Sequence, residues 1–502
     1  MNDPRLLAAQ LASRRQFLKN CNTGLGGLFL GSLLGGSFGS SASSAFGAPA
    51  STTVPIDNPL SPKAPPLPAK VKRVIYLHMS GAPPQHDLWD FKPELVKHNL
   101  EPCSDEVLAI LKKERLPFID LNARRPKMLG TPYKFPKQGE SGIEMSEVWK
   151  ELPQVADELC VVKSMYTDQF NHAPAELLLY TGSARNGGAA MGSWITYGLG
   201  SENQDLPGFV VLISGGTDPT GGKALWSTGF LPSVYQGVQC RTSGSPILYA
   251  NNPEGMSRDV RRRSLDALKK LNELELQEFG DPETLTRISQ YELAYRMQIA
   301  VPEVMDISKE PKETLEAYGA VPGQASFANN CLLARRLAEQ GVRYVQLYDW
   351  GWDFHGIGVD TDIVQGLPSK VKLVDRPITA LLKDLKQRGL LDSTLVVWGG
   401  EFGRTALNEE RGGSKFLGRD HHPHCFSIWL AGGGIKAGTV YGQTDDLGYF
   451  VTQDKVGIHD LQATILHLLG FDPKHFSYPY QGLNQRLIGP SDEPTVIEAI
   501  LS

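Results

Sequence analysis

The chain reads as an α/β protein whose mainly parallel sheet is covered by helices on both faces. Short apolar runs of strand length alternate with amphipathic stretches of helical length, the order that parallel strands with crossover helices require. Polar clusters rich in histidine and acid sit at the exits of the predicted strands, where folds of this class gather their chemistry. At 502 residues, 41% hydrophobic and 21% charged, the chain has an ordinary globular composition and enough length for a large core.

The elements follow in order. The first strand runs from Val71 to Met79, bounded by Gly81 and two prolines. A second run, Leu159 to Met165, leads into TDQFNHAPAELLLYTG, whose Ala-Glu-Leu-Leu-Leu segment predicts a helix starting near Ala173. Phe209 to Ile213 is a third strand. Residues 256–308 are long, charged and helical by periodicity, and predict a helical hairpin inserted into the main body. Then helix Ala328–Glu339, strand Val342–Tyr348, helix Leu373–Leu391, strands Thr394–Trp398 and Cys425–Ala431, and helix His459–Leu469 are expected. No internal repeat is present.

The N-terminus is of a different kind. Ser13-Arg14-Arg15-Gln16-Phe17-Leu18-Lys19 resembles the twin-arginine export signal, an address read by a translocase. No charged residue follows Lys19 until Asp57, and the stretch between is too rich in glycine to make a good transmembrane helix. Residues 1–50 are therefore expected to be a cleaved signal, with small residues near Ala48-Pro49-Ala50 for cleavage. A retained membrane anchor is the alternative. The proline-rich residues 51–70 read as an extended linker, 71–490 as the folded body and 491–502 as a C-terminal tail. These features predict an exported protein of the periplasm or extracellular space.

Net charge is −5, and no basic block exists beyond Arg261-Arg262-Arg263, which reads as a solvated helical face. The electrostatic footprint of a nucleic-acid binder is missing. Cys103, Cys160, Cys240, Cys331 and Cys425 are scattered, without a CxxC pair, so buried thiols are expected rather than a disulfide framework.

Three polar runs carry the chemistry. They are YDWGWDFHG with Asp349, Asp353 and His355; WGGEFGRT with Glu401 and Arg404; and Gly418-Arg419-Asp420-His421-His422-Pro423-His424. Imidazoles and carboxylates arriving from separate segments are what a divalent metal requires. The end of the first strand and the loop after it add His78, His86 and Asp87, and the turn after the second adds Asn171 and His172. Asp87 and Asn171 also fit ordinary helix caps. Arg404 fits either a fork onto a bound anion or an ion pair with Asp420 or Glu401. His467 reads as a core histidine, and Asp460 as a first-turn acid.

In this order the runs resemble the alkaline-phosphatase and sulfatase superfamily. More closely, the chain is similar to the exported bacterial family of unknown function numbered 1501, which is grouped with sulfatases. HMSGAPPQHDLWD, MGSWITYGLG, GFLPSVYQG, DWGWDFHG, GEFGRT, GRDHHPH, LAGGGIKAGTVYG and HDLQATILHLLG carry the resemblance. It implies an alkaline-phosphatase-like three-layer fold and a divalent metal such as zinc, calcium or magnesium. The expected metal ligands are Asp87, Asp353, His355, Glu401, Asp420, His421, His422 and His424, with His172, Asn171 and Arg404 in catalytic roles. Ser80 stands where the superfamily has an acidic ligand, which would be missing or moved to His78, His86 or Asp87. No Ser, Thr or Cys occupies the nucleophile's place, and the Cys-x-Pro-x-Arg signature of sulfatases is absent. Direct attack by metal-activated water on a phosphate or sulfate ester, including a sulfated polysaccharide, is therefore the expected reaction. The competing expectation is a non-catalytic relative that binds polysaccharide or an envelope partner.

Overall fold

In the computed structural model, residues 58–114, 125–247, 252, 254–279, 282–489 and 492–502 are described. The export signal expected in residues 1–50 lies outside them. A nine-stranded sheet forms the centre. Its strands, in chain order, are β1 (Arg73–Ser80), β2 (Leu159–Tyr166), β3 (Phe209–Ser214), β4 (Val238–Cys240), β5 (Tyr344–Trp350), β6 (Thr394–Gly399), β7 (Phe426–Gly432), β8 (Thr439–Tyr441) and β9 (Val456–Gly457). In space the order is β8-β2-β7-β6-β1-β5-β3-β4, with β9 also pairing β2. All pairs are parallel except those of β7, which runs antiparallel to both β2 and β6.

Every residue of β1 is buried, as a central strand covered on both faces must be. Alternation along the strands separates the faces. On one face Tyr76 and His78 of β1 and Tyr348 of β5 meet Tyr180 of helix α1 (His172–Thr181). Tyr344 reaches Met191 at the start of α2 (Met191–Leu199) on that face. On the other, Trp398 packs against Trp89, Trp149 and Trp352. Two charged helices form the insertion, α3 (Arg258–Phe279) and α4 (Pro282–Met305). Arg262 belongs to an ion pair with Glu292 across them, so the expected solvated face is partly a clasp. Arg296 ties the hairpin to the body by donating to the Gln204 carbonyl at 2.8 Å.

Helices α5 (Phe327–Glu339), α6 (Gly366–Gln387) and α7 (Ile458–Leu468) complete the layers. Helix α6 starts seven residues before the expected Leu373 and continues through Pro377. Lys370, at the start of its second turn, explains the early start, since it pairs with buried Asp349 at 2.7 Å. Residues 58–70 lie along the body, with Lys63, Leu67 and Lys70 donating to the carbonyls of Leu199, Gly470 and Leu468. The last residues pack as well, and Ile497 and Ile500 are buried. The five cysteines from Cys103 to Cys425 are buried free thiols. Among the described residues no helix is long and apolar enough to cross a membrane.

Candidate functional site

The parallel strands end at one edge of the sheet, and the polar runs collect there. His78 lies near the end of β1, Asp353 and His355 just beyond β5, and Glu401 two residues beyond β6. The run 418–424 precedes β7 rather than following a strand as expected. Because β7 is antiparallel, its entry lies at the edge where its neighbours exit, so the run still reaches the site. Two glycines permit the approach. A Cβ on Gly81, which has φ +109°, would lie 2.7 Å from the Asp353 backbone nitrogen. A Cβ on Gly418 would lie 2.0 Å from the His355 carbonyl carbon.

The outer part of the site converges on one carboxylate oxygen. Asp353 Oδ1 lies 2.8 Å from His355 Nε2, 3.3 Å from His421 Nε2 and 3.4 Å from His172 Nε2. His355 Nε2 and His421 Nε2 are 3.1 Å apart. Each imidazole is anchored at its other nitrogen. His172 Nδ1 bonds Glu401 Oε1 at 2.5 Å, His421 Nδ1 bonds the Phe170 carbonyl at 2.8 Å, and His355 Nδ1 bonds Glu409. Behind them Arg404 is fully buried and pairs with Asp353. Its other donors go to the carbonyls of Ala82, Gly81 and Arg419, and its Nη1 also lies 3.5 Å from His355 Nε2. The side chains of His172, His421 and Asp353 remain 11%, 10% and 29% exposed, so this part reaches solvent. Phe402 stacks on His172 with ring centroids 4.9 Å apart and forms an apolar wall.

Beneath it lie His78, Glu176 and Glu401, all with fully buried side chains. Glu176 is one helical turn beyond His172 on α1, which points both inward. A third group joins His355, Glu409 and Asp420. Glu401 therefore links the inner group to His172, and His355 links the outer group to Glu409.

Charge follows from these contacts. Burial pulls the His78 imidazole down, but Glu176 and Glu401 outweigh it and raise it to about 9. His172 is likewise pulled down by burial and carried up to about 9 by Asp353 and Glu401. Burial pushes the Asp353 carboxyl up, yet Arg404 and the three imidazoles hold it well below the usual carboxylate range. Glu401, also opposed by burial, is held low by His172 and His78. His421 is lowered to about 4, first by burial and then by the Arg404 charge, although Asp353 opposes the shift. Burial and the neighbouring Glu409 raise Asp420 to about 6.

Asp353, His355, Glu401, Asp420, His421 and His172 are thus brought together. Others fall elsewhere. Asp87 is taken up by Arg419, whose Nε and Nη2 donate to its two oxygens at 2.7 and 3.1 Å. His422 bonds the Tyr449 carbonyl at 2.6 Å, because neighbouring residues of an extended strand face opposite sides. His424 packs its ring beside His422 and Phe450. His86 turns to the carbonyls of Leu447 and Gly448, and Asp349 is bound by Ser214, Trp352 and Lys370. Asn171 occupies the N-cap position without a side-chain cap bond. Arg404 has no guanidinium face left for a fork onto an anion, and its acidic partner is Asp353 rather than Asp420 or Glu401. Sequence reasoning missed Glu176 and Glu409. The four-residue spacing from His172 signals the first, whereas nothing local signals the second.

These features define an α/β protein with a histidine–carboxylate centre at the carboxyl edge of its sheet. Residues 71–501 match the family described as "Protein of unknown function (DUF1501)", and the chain belongs to that family. No curated protein matches it. Several solved structures align with it. The lipoteichoic acid synthase LtaP from Listeria monocytogenes is 12% identical at TM-score 0.33, covering 86% of this chain and 78% of that one. The PsFucS1 sulfatase from Pseudoalteromonas sp. is 12% identical at TM-score 0.35, covering 85% and 73%. The alkaline phosphatase of the Antarctic bacterium TAB5 is 9% identical at TM-score 0.29, covering 76% and 96%.

Proposed function

We propose that this protein is an exported, metal-dependent hydrolase of phosphate or sulfate esters, with sulfated polysaccharide among its possible substrates. One observation carries the reading: three imidazole Nε2 atoms converge on Asp353 Oδ1 while each Nδ1 is anchored on an acceptor. That is the arrangement in which outer partners fix the tautomer and aim of metal-ligating histidines. His172 Nε2 is buried and lies 3.4 Å from Asp353 Oδ1 without a hydrogen bond between them, a gap that a shared cation would fill. His172, Asp353, His355 and His421 would hold a divalent ion, and the nitrogen-rich set suits zinc better than magnesium or calcium. When bound, such an ion polarises an ester oxygen and lowers the pKa of water.

The chain's own groups place and shape the site. Arg404 fixes Asp353 from behind, and Phe402 shields one side of the His172 ring. Thr167 is the sole hydroxyl between β2 and α1, is buried, and accepts from the Gln169 N–H at 3.2 Å. Water is therefore the attacking group in this reading, and no covalent enzyme intermediate forms.

Full-length protein assayed with p-nitrophenyl phosphate and p-nitrophenyl sulfate should hydrolyse at least one of them. Activity and the metal equivalent held at the outer centre should both be lost in His421→Ala and kept in His422→Ala. Loss in both variants, or in neither, would sink the assignment. Export is tested separately: replacing Arg14 and Arg15 by lysine should hold the precursor in the cytoplasm, and normal export would refute that part.

A further inference from the structure

We propose that His78, Glu176 and Glu401 form an inner, closed site for a first-row divalent cation, separate from the outer centre. The side chains of all three residues are 0% exposed. His78 Nε2, Glu176 Oε1 and Glu401 Oε2 are each buried without a hydrogen-bond partner. These same three atoms face one another, His78 Nε2 lying 3.5 Å from Glu176 Oε1 and 3.4 Å from Glu401 Oε2. Ligands about 2.0–2.1 Å from a tetrahedral ion stand about 3.3–3.4 Å apart. The observed gaps match that edge and are long for hydrogen bonds.

The second oxygen of each carboxylate is held in place. Glu176 Oε2 accepts from Thr220 Oγ1 at 2.8 Å and from the Gly221 N–H at 2.7 Å. Glu401 Oε1 accepts from the Gly81 N–H at 3.0 Å as well as from His172 Nδ1. Each carboxylate therefore presents one free oxygen inward, as ligands oriented by outer partners do. Tyr180 and Tyr348 wall the His78 ring, with centroids 5.4 and 5.3 Å away, and exclude bulk water. Once the cation displaces the imidazole's proton, the two buried carboxylates balance a dication, which removes the cost of uncompensated buried charge. One nitrogen and two carboxylate oxygens suit zinc, manganese or iron(II). All three ligand side chains are closed to solvent, so its ion acts on position: it fixes Glu401, which in turn aims His172.

The test is independent of the ester-hydrolase reading. Full-length protein loaded with Zn²⁺ and then dialysed against EDTA should retain about one slowly exchanging equivalent per chain. That equivalent should vanish in Glu176→Gln and persist in His421→Ala. Anomalous scattering at the zinc edge from wild-type crystals, which needs no variant to fold, should place a peak between His78 and Glu176. Absence of that peak, or retention of the equivalent in Glu176→Gln, overturns the proposal. A filled inner site in a protein without esterase activity would leave it standing and remove the hydrolase reading. An active enzyme with an empty inner site would do the reverse.

Discussion

Two buried arginine–aspartate pairs lie within reach of the same loops, Arg404 with Asp353 and Arg419 with Asp87. Arg419 and Asp87 are both fully buried, and both oxygens of the carboxylate are consumed by the guanidinium fork. Arg404 is equally buried, but its aspartate is 29% exposed and shares one oxygen with three imidazoles. The first pair is closed and can only hold the fold. The second is open, and its arginine supports a carboxylate that still faces solvent and histidine. A carboxylate whose charge is already matched by a fully buried, bidentate arginine has little left to offer a cation, so residue type alone does not separate a ligand from a structural ion.

Breaking each pair should expose this difference. The largest effect is expected at Asp353→Ala, which should remove the outer centre's metal equivalent and lower esterase activity by about 100-fold or more, measured with both p-nitrophenyl esters. Unchanged metal content there would place the centre elsewhere. Asp87→Ala should instead cost about 3–5 kcal/mol in urea denaturation, because it strands a buried guanidinium, while the folded fraction keeps its metal. Metal loss in that folded fraction would erase the distinction between the pairs.

A finer effect concerns His86, on the closed side. Its imidazole is held well below the ordinary value by burial and by the Arg419 charge. The folded state thus resists a proton that the unfolded chain accepts below pH about 6.5. Stability linked to His86 is present above that pH and is lost as pH falls, at up to about 1.4 kcal/mol per pH unit. His86→Gln should flatten the decline between pH 6.5 and 5 in chemical denaturation. An unaltered slope would show that His86 is not what resists the proton.

Much of the fold was legible because strand and helix signals are local. The runs beginning near Val71, Leu159 and Phe209 became β1, β2 and β3 with shifts of a residue or two. The helical hairpin was written in its charge periodicity. The start of α6 was missed because the Lys370–Asp349 pair joins residues from different elements. The direction of β7 was hidden for the same reason: an apolar run has no sense until neighbours choose one. In the site, Asp353, His355, Glu401 and His421 were put forward by residue type, and the structure brings these four side chains near one another. Glu176 lay unseen inside a run that reads as ordinary helix.

Sequence by itself determined that this is an α/β chain with histidines and acids gathered near strand ends, since hydrophobic periodicity and composition are properties of short segments. It also carried the family resemblance that the match over residues 71–501 now bears out. Only the tertiary structure decided which of those polar groups meet. His421 and His422 are chemically equivalent in sequence, yet one faces Asp353 and the other the Tyr449 carbonyl. Side chains alternate along an extended strand, and which face becomes the site depends on the layer that covers the other.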